Sequence, residues 1–161
     1  MVESKCKTKF LLRALLRRVN RCRVSVDGCE VGKIGTGLHI LLGIHSDDCE
    51  DDSKWIIKKV LGARLFENEH GLKKIPISSK MGILVISQFT LFGNLKKGFS
   101  PTFHRAAPPS LAEKKYNDFI RILQSSHSGS VQQGVFGEEM LIDSEDSGPV
   151  SLWLDSKVKN Y

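Results

Sequence analysis

The sequence predicts an α+β fold in which a curved, largely antiparallel sheet, or partial barrel, is covered by two main helices. Residues 82–93 begin with four large aliphatic side chains next to a glycine, which is typical of a strand buried on both faces, although the run alone also fits a short buried helix. Residues 10–44 resemble successive short strands separated by turns. Residues 50–63 and 110–123 carry apolar side chains at helical spacing.

The first half of the chain is predicted to form a β-meander followed by a helix. Residues 10–26 suit two successive strands, and Asp27-Gly28 is the usual hairpin signal that pairs the second of them with residues 29–34. Residues 38–44 suit a further buried strand. Acidic residues precede and basic residues follow the apolar positions of residues 50–63, which favours a helix because the charges complement its dipole.

The second half is predicted to add the central strand, the second helix and the last strands. Three prolines in residues 101–109 exclude regular structure there. Ser110 stands three residues before Glu113, which is the spacing of a capping box at the start of a helix. Short strands are predicted at residues 64–66, 131–135, 140–143 and 150–154.

Length and composition favour one globular domain. The chain has 161 residues with 40% apolar content, which is enough for one substantial core. We expect a basic extension at residues 1–11, a domain at residues 12–156 and a tail at residues 157–161. No apolar run is long enough to cross a membrane, and the N-terminus lacks the apolar core of a secretory signal, so we expect a soluble, cytoplasmic protein.

The cysteines and carboxylates predict neither a metal site nor a disulfide framework. Cys6, Cys22, Cys29 and Cys49 form no CxxC pair and have no histidine at zinc-finger spacing, so reduced thiols are expected. The acidic residues before the first helix are explained by capping. No metal and no cofactor are therefore predicted.

The positive charge is concentrated at the N-terminus. Residues 1–23 hold eight basic side chains and one acidic side chain, whereas the rest of the chain has a net charge of −1. Such a segment would attract phosphate groups in a salt-dependent manner. A solubilising tail or an organellar targeting segment are the other interpretations.

Polar side chains follow the central strand and could line a cleft. Ser87, Gln88 and Thr90 come directly after the aliphatic run. A strand that simply becomes polar at the surface would have the same sequence. No Ser-His-Asp arrangement is evident among the five scattered histidines, and His39 is interpreted as structural because it lies within a predicted strand.

Several motifs together resemble the D-aminoacyl-tRNA deacylase family, formerly called D-tyrosyl-tRNA deacylases. The resemblance runs from about Leu12 onward and begins where the family typically has a Met-Arg-Ala-Val-Val-Gln-Arg-Val strand. The most specific motifs are Ser-Gln-Phe-Thr-Leu at residues 87–91 and Gly-Pro-Val at residues 148–150. Weaker matches occur at residues 24–28, 37–43, 97–98, 106–109 and 136–140.

The resemblance implies an enzyme that hydrolyses the ester between a D-amino acid, or glycine, and the 3′ end of tRNA. It implies that Ser87, Gln88, Phe89 and Thr90 form the catalytic pocket for the terminal adenosine and the aminoacyl carbonyl. A backbone N–H of Phe89 or Thr90 would stabilise the oxyanion while the ribose 2′-hydroxyl assists water. Thr90 as nucleophile is the competing mechanism, for which no base is identifiable in the sequence.

The resemblance also implies a homodimer with a shared substrate site. Gly148-Pro149, with a cis peptide bond, would enter the pocket of the partner subunit and occupy the space that an L side chain requires. Arg18 would brace this dipeptide. Phe136 and Met140 would form pocket walls, and aminoacyl-tRNA would be the substrate.

Three positions depart from the family pattern. Asp146 and Ser151 replace the outer Asn and Thr of an Asn-x-Gly-Pro-Val-Thr motif, and Arg17 replaces a Gln. The basic N-terminus and the Asp146 departure motivate the alternative function, a non-catalytic nucleic-acid-binding protein on the same scaffold. A hydrolase for a different acyl ester is a third.

Overall fold

A computed structural model describes residues 12–159 of the chain, so the predicted extension at residues 1–11 lies outside the described residues. The strands are β1 (Arg13–Val26), β2 (Cys29–Ile34), β3 (Gly37–Gly43), β4 (Phe66–Glu67), β5 (Lys74–Ile75), β6 (Gly82–Ser87), β7 (Val131–Gln133) and β8 (Leu141–Asp155). The α-helices are α1 (Glu50–Gly62) and α2 (Pro109–Ser126), and a 3-10 helix (Phe89–Phe92) follows β6.

The main sheet is mixed and curls into a nearly closed barrel. Its strands lie in the order β2-β1-β3-β6-β7, and β8 pairs with β1. All three partners of β1 are antiparallel to it, whereas β3-β6 and β6-β7 are parallel because α1 and α2 lie in the connections between them. The predicted α+β barrel with two covering helices is confirmed, with this parallel half added to the antiparallel part.

Close backbone approaches bring the edges of the barrel together. A Cβ on Gly32 in β2 would lie 2.8 Å from the carbonyl oxygen of Gln133 in β7. In the middle of the sheet, a Cβ on Gly37 would lie 1.9 Å from the carbonyl oxygen of Gly82, its partner on β6. Side chains at these points would push the strands apart, so glycine allows the sheet to curl.

The central strand β6 is buried on both faces, as the aliphatic run predicts. Ile83 and Val85 pack in the core beneath the helices, whereas Leu84 and Ile86 pack in a second cluster inside the barrel. Burying each such side chain contributes about 1.5–3 kcal/mol. The apolar face of α2 is part of the larger core, as predicted, through Ala112, Tyr116, Phe119, Ile120 and Leu123.

The two helices begin differently from each other. In α1, Cys49 and Asp52 form the capping interaction, with the Cys49 N–H donating to Asp52 Oδ2 at 3.0 Å. The predicted capping box of Ser110 is wrong, because α2 begins at Pro109, one residue earlier, and Ser110 lies inside the helix. Proline suits a first helical position since its missing N–H would have no acceptor there.

Both strands that the sequence divides in two are continuous. β1 runs through residues predicted as two strands, and β8 joins the predicted segments at residues 140–143 and 150–154. β1 and β8 pair along almost their full lengths. The register between them shifts on both sides of Val19, and this irregularity lets β8 continue through the residues between its two predicted segments. No helix within residues 12–159 is long and apolar enough to span a membrane.

Candidate active site

A cavity of about 630 Å³ opens where β3 and β6 end at the same edge of the sheet. Its lining is mainly apolar, with Ser87, Gln88 and Glu138 among its polar members. The apolar lining includes Leu42, Ile86, Phe89, Phe103, Ala112, Phe136 and Met140. An apolar cavity with a few convergent polar groups is typical of a small-molecule site.

Aromatic and thioether contacts form the walls of the cavity. The Phe89 and Phe103 rings meet edge to face with their centroids 5.0 Å apart. Phe136, which also lines the cavity, has its ring centroid 5.9 Å from that of the buried Tyr116. Met140 packs closely over Gly134, where an added Cβ would lie 2.5 Å from its sulfur. Close side-chain packing therefore fixes the shape of the pocket.

The 3-10 helix presents free backbone donors at the end of β6. The Gln88 N–H donates to the Leu42 carbonyl at 2.7 Å, and the Leu91 N–H donates to the Gln88 carbonyl at 3.3 Å. The Gln88 side-chain amide donates to the Thr90 hydroxyl and does not cap the helix. Within residues 12–159, the Phe89 and Thr90 N–H groups have no hydrogen-bond acceptor, as expected for the first turn of a helix.

Tyr116 ties α2 to the strand beneath the cavity. Its hydroxyl donates to the Val85 carbonyl at 2.8 Å, and the side chain is buried. Burial raises the pKa of Tyr116, so the hydroxyl keeps its proton at neutral pH. Tyr116 lies on the apolar face that helical spacing predicts for residues 110–123, and the structure adds this hydrogen bond to the strand that supports the site.

The Gly148-Pro149 peptide bond is cis, as the resemblance implies, and the dipeptide lies exposed on β8. The Arg18 Nε donates to the Ser147 carbonyl at 3.2 Å, and its Nη1 donates to the Leu65 carbonyl. Arg18 therefore connects the segment before the dipeptide to the chain after α1.

The two charged departures from the family pattern contact each other. The Arg17 Nε and Nη2 both donate to Asp146 Oδ2, at 3.0 and 2.7 Å, and the Ser144 hydroxyl donates to Asp146 Oδ1 at 2.8 Å. Burial opposes ionisation of Asp146, but the hydrogen bonds from Arg17 and Ser144 and the charge of Arg17 outweigh it, so the pKa of Asp146 is lowered. The part of β8 that precedes Gly148 is thus held to β1 by an ion pair.

The predicted site residues fall into two groups. Ser87, Gln88, Phe89, Phe136 and Met140 line the cavity. Thr90, Arg18, Gly148 and Pro149 do not line it. Their roles toward a substrate stay predictions.

The structure adds residues that the sequence did not single out. Phe103 and Glu138 line the cavity, as do the residues of the segment 106–109. In the sequence, the alanine and proline pairs of that segment are recognisable only as part of the family resemblance. An isolated phenylalanine in a proline-rich loop carries no local signal for a pocket wall.

No metal centre is evident in the part of the chain that the structure describes, where no three His, Cys, Asp or Glu side chains are grouped. His39 is fully buried in β3, and neither ring nitrogen has a hydrogen-bond partner among these residues. Burial, followed by the charge of Arg17, lowers the pKa of His39 to about 4. His39 does not line the cavity.

Comparison with known proteins identifies relatives over nearly the whole chain. A D-aminoacyl-tRNA deacylase of Kosmotoga olearia is 41% identical over 147 residues, which is 91% of this chain and 98% of the relative. The D-aminoacyl-tRNA deacylase of Nitratiruptor sp. is 46% identical over 145 residues, covering 89% and 97% of the two chains.

Two solved structures share the fold. A structure titled c-Myc DNA Unwinding Element Binding Protein superposes with a TM-score of 0.81 at 35% identity, covering 88% of this chain and 97% of its own. A probable eukaryotic D-amino acid tRNA deacylase has a TM-score of 0.78 at 18% identity, covering 91% and 100%, and shows the fold alone. The family described as D-Tyr-tRNA(Tyr) deacylase matches residues 15–155, and the chain therefore belongs to that family.

Proposed function

We propose that this protein hydrolyses the ester bond of D-aminoacyl-tRNA, and of mischarged glycyl-tRNA, to release the free amino acid and tRNA. Family membership and the names of the curated relatives support the reaction class. The observation that carries the proposal is an apolar cavity next to the backbone N–H groups of Phe89 and Thr90, which have no acceptor among residues 12–159. Such donors can stabilise the negative charge that develops when an ester carbonyl is attacked.

The proposed mechanism uses water as the nucleophile. The water oxygen forms a bond to the ester carbonyl carbon, and the carbonyl oxygen becomes an oxyanion that accepts from the Phe89 or Thr90 N–H. The oxyanion then re-forms the carbonyl as the bond to the ribose 3′ oxygen breaks, and that oxygen takes up the proton that the attacking water loses. The neighbouring 2′-hydroxyl assists the attacking water, and Ser87 and Gln88 position the terminal adenosine and carbonyl.

Thr90 is less suited to be the nucleophile in this geometry. Its hydroxyl accepts from the Gln88 side chain and does not line the cavity. An activated threonine needs a base within hydrogen-bond reach. Among the described residues, no histidine or carboxylate hydrogen-bonds to the Thr90 hydroxyl, so assistance by the substrate is the favoured route.

The proposed active form is a homodimer with shared sites. Gly148-Pro149 lies outside the cavity of its own chain, which is consistent with insertion into the cavity of a second chain. Within the described residues β8 pairs only with β1, and it exposes Leu141, Leu152 and Trp153 along its length. An unpaired edge with exposed apolar side chains favours association. In the partner cavity, rigid carbonyl oxygens of the dipeptide would exclude an L side chain.

The proposed setting is translation quality control in the cytoplasm, where charged tRNA is the substrate. The basic residues before β1 would add attraction to tRNA phosphates. Organellar targeting by the same segment is the other interpretation of its composition.

The alternative function is binding of nucleic acid without hydrolysis. The related structure titled as a DNA-unwinding element binding protein makes this worth testing. The names of the curated relatives favour the deacylase, and a single assay separates the two functions.

The assay compares hydrolysis of matched D- and L-aminoacyl-tRNA by the purified protein and by a variant with Gly148→Ala and Pro149→Ala. We expect rapid loss of the D ester alone with the wild type. The variant should lose chiral selectivity or activity while keeping its secondary structure by circular dichroism. Decay of both esters at the buffer rate, together with retained tRNA binding, would instead establish the binding protein.

A further inference from the structure

A loop beside the cavity combines positive charge with exposed apolar side chains. Residues 94–102, which we name the rim loop, are closed at the base by reciprocal backbone hydrogen bonds between Asn94 and Thr102, at 2.9 and 3.0 Å. Near the tip, the Asn94 side chain accepts from the Lys96 N–H at 2.8 Å, and Gly98 has a positive φ of 85°. The chain therefore reverses sharply and presents its tip outward.

The tip of the rim loop is poorly explained by folding alone. Phe99 is fully exposed, and Leu95 is 60% exposed. Lys96 and Lys97 are also exposed, and within residues 12–159 neither forms an ion pair with a carboxylate. The Phe99 ring buries no surface, and the two lysines form no salt bridge within the described residues. These three side chains are therefore available to bind a ligand.

The rim loop is joined directly to the candidate active site. It follows the 3-10 helix, and Phe103, one residue after its base, lines the cavity and contacts Phe89. Gly93, one residue before its base, is also close to Phe103, since a Cβ there would lie 3.2 Å from the Phe103 ring. A polynucleotide whose terminal nucleoside enters the cavity would pass this loop.

We infer that the rim loop binds the single-stranded nucleotides that precede the esterified terminal adenosine. Phe99 would stack on a base, and Lys96 and Lys97 would pair with successive phosphates. An aromatic platform flanked by cations is the usual composition of a site for single-stranded nucleic acid. The inference rests on the proposed function, because it takes the terminal adenosine to occupy the neighbouring cavity.

The test compares two substrates that differ only in the nucleotides before the adenosine. D-aminoacyl-adenosine reaches the cavity but not the rim loop, whereas D-aminoacyl-tRNA reaches both. We expect Phe99→Ala to lower kcat/KM for the tRNA ester at least about fivefold, the smallest loss expected for one stacked base. Hydrolysis of the adenosine ester should be unchanged.

A second variant tests the two lysines through salt dependence. Lys96→Gln with Lys97→Gln removes two phosphate contacts. For a short oligonucleotide that ends in adenosine and carries no amino acid, the slope of the log binding constant against log salt should therefore flatten by about 1.4. The matched control is Leu72→Ala with Lys73→Gln, an exposed apolar and basic pair that does not line the cavity. This control should leave both measurements unchanged.

Three outcomes would overturn the inference. Equal loss of activity on the two esters would make Phe99 part of the cavity structure, and no loss on the tRNA ester would leave the loop without a role in binding. A shift from dimer to monomer with Phe99→Ala in sedimentation would make the ring a subunit contact. If the wild type hydrolyses neither ester, the proposed function fails, and the oligonucleotide binding measurement still decides the role of the loop.

Discussion

Arg17 and Asp146 form an ion pair across β1 and β8, with the Arg17 Nη2 at 2.7 Å from Asp146 Oδ2. The family pattern has Gln and Asn at these two positions, so the chain replaces one pair of polar side chains with a pair of opposite charges. The replacement of Asn by Asp146, considered alone, removes an amide donor near Gly148. Considered together, the two changes compensate each other, because the guanidinium supplies the donors that the carboxylate requires.

We expect the Arg17 and Asp146 positions to be energetically coupled. Arg17→Gln or Asp146→Asn alone should lower the free energy of unfolding by about 0.5–1 kcal/mol, as expected for a pair that is partly exposed. The double variant should lose less than the sum, because the two amides can hydrogen-bond to each other. Denaturant unfolding of the four proteins measures the coupling, and additive losses would show that the pair contributes nothing.

We expect the stability of the protein to fall between neutral and mildly acidic pH because of His39. The pKa of this buried imidazole is lowered to about 4 from 6.5. Between these values the unfolded chain binds a proton and the folded chain does not, so the contribution is complete above 6.5 and is lost as pH falls toward 4. The loss is at most about 3 kcal/mol.

His39→Leu separates this effect from that of the other titrating groups. Leucine removes two ring nitrogens that have no partner among the described residues, so the variant should match or exceed the wild type at neutral pH. Its advantage in free energy of unfolding should grow as pH falls to about 5. An advantage independent of pH would show that His39 does not titrate between the two states.

Gly43 should be required for the position of the 3-10 helix. A Cβ there would lie 3.1 Å from both Leu91 Cβ and Phe92 Cε2, and 3.2 Å from the Gln88 carbonyl oxygen. Gly43→Ala should therefore move the 3-10 helix by a few tenths of an ångström and lower kcat by about tenfold or more, since catalytic donors tolerate little displacement.

Gly62→Ala is the matched control for Gly43→Ala. Nothing lies within 4 Å of a Cβ at Gly62, the last residue of α1. The control should keep its activity and gain about 0.5–1 kcal/mol in free energy of unfolding. Unchanged kcat in Gly43→Ala would show that the 3-10 helix adapts without loss of function.

The sequence predicts local features of this fold better than features that depend on distant contacts. The β6 strand follows from its aliphatic run, and the β1–β2 hairpin follows from Asp27-Gly28. The continuity of β8 does not follow, because it depends on pairing with β1 more than 100 residues away, as between Leu15 and Trp153.

The candidate site shows the same division. Ser87 and Gln88 are predictable because they end a buried strand at a sheet edge. The rest of the cavity forms only when the segments around Phe103 and Phe136 converge on that edge from different parts of the chain. Polar strand ends are therefore visible in local sequence patterns, whereas the wall at Phe103 is not, and Phe136 is indicated only by the family resemblance.

Substitution of Glu138 tests whether the substrate or the protein activates the attacking water. Glu138 lines the cavity and carries a carboxylate, so it is the candidate protein base to set against the ribose 2′-hydroxyl. If the 2′-hydroxyl assists water, Glu138→Gln should change kcat less than about threefold, whereas a substrate with a 2′-deoxy terminal adenosine should react at least about a hundredfold more slowly. A large loss in Glu138→Gln, with the deoxy substrate still active, would assign the base to the protein.

Two substitutions at position 90 separate a backbone role from a side-chain role. Thr90→Ala removes the hydroxyl but keeps the N–H, so kcat for the D ester should fall less than about tenfold if the backbone stabilises the oxyanion. Thr90→Pro removes the N–H, and kcat should fall about a hundredfold to a thousandfold if this N–H, and not that of Phe89, is the oxyanion donor. Proline is tolerated in the first turn of a helix, so the fold should persist.

Circular dichroism and binding of the oligonucleotide without an amino acid provide the controls for the Thr90 variants. Both variants should bind like the wild type, because the substitutions leave the cavity walls in place. A loss in Thr90→Ala as large as that in Thr90→Pro would assign the reaction to the hydroxyl, and a covalent aminoacyl intermediate should then be trapped by rapid acid quenching. Water attack predicts that no such intermediate forms, since the ester is cleaved without an acyl-enzyme.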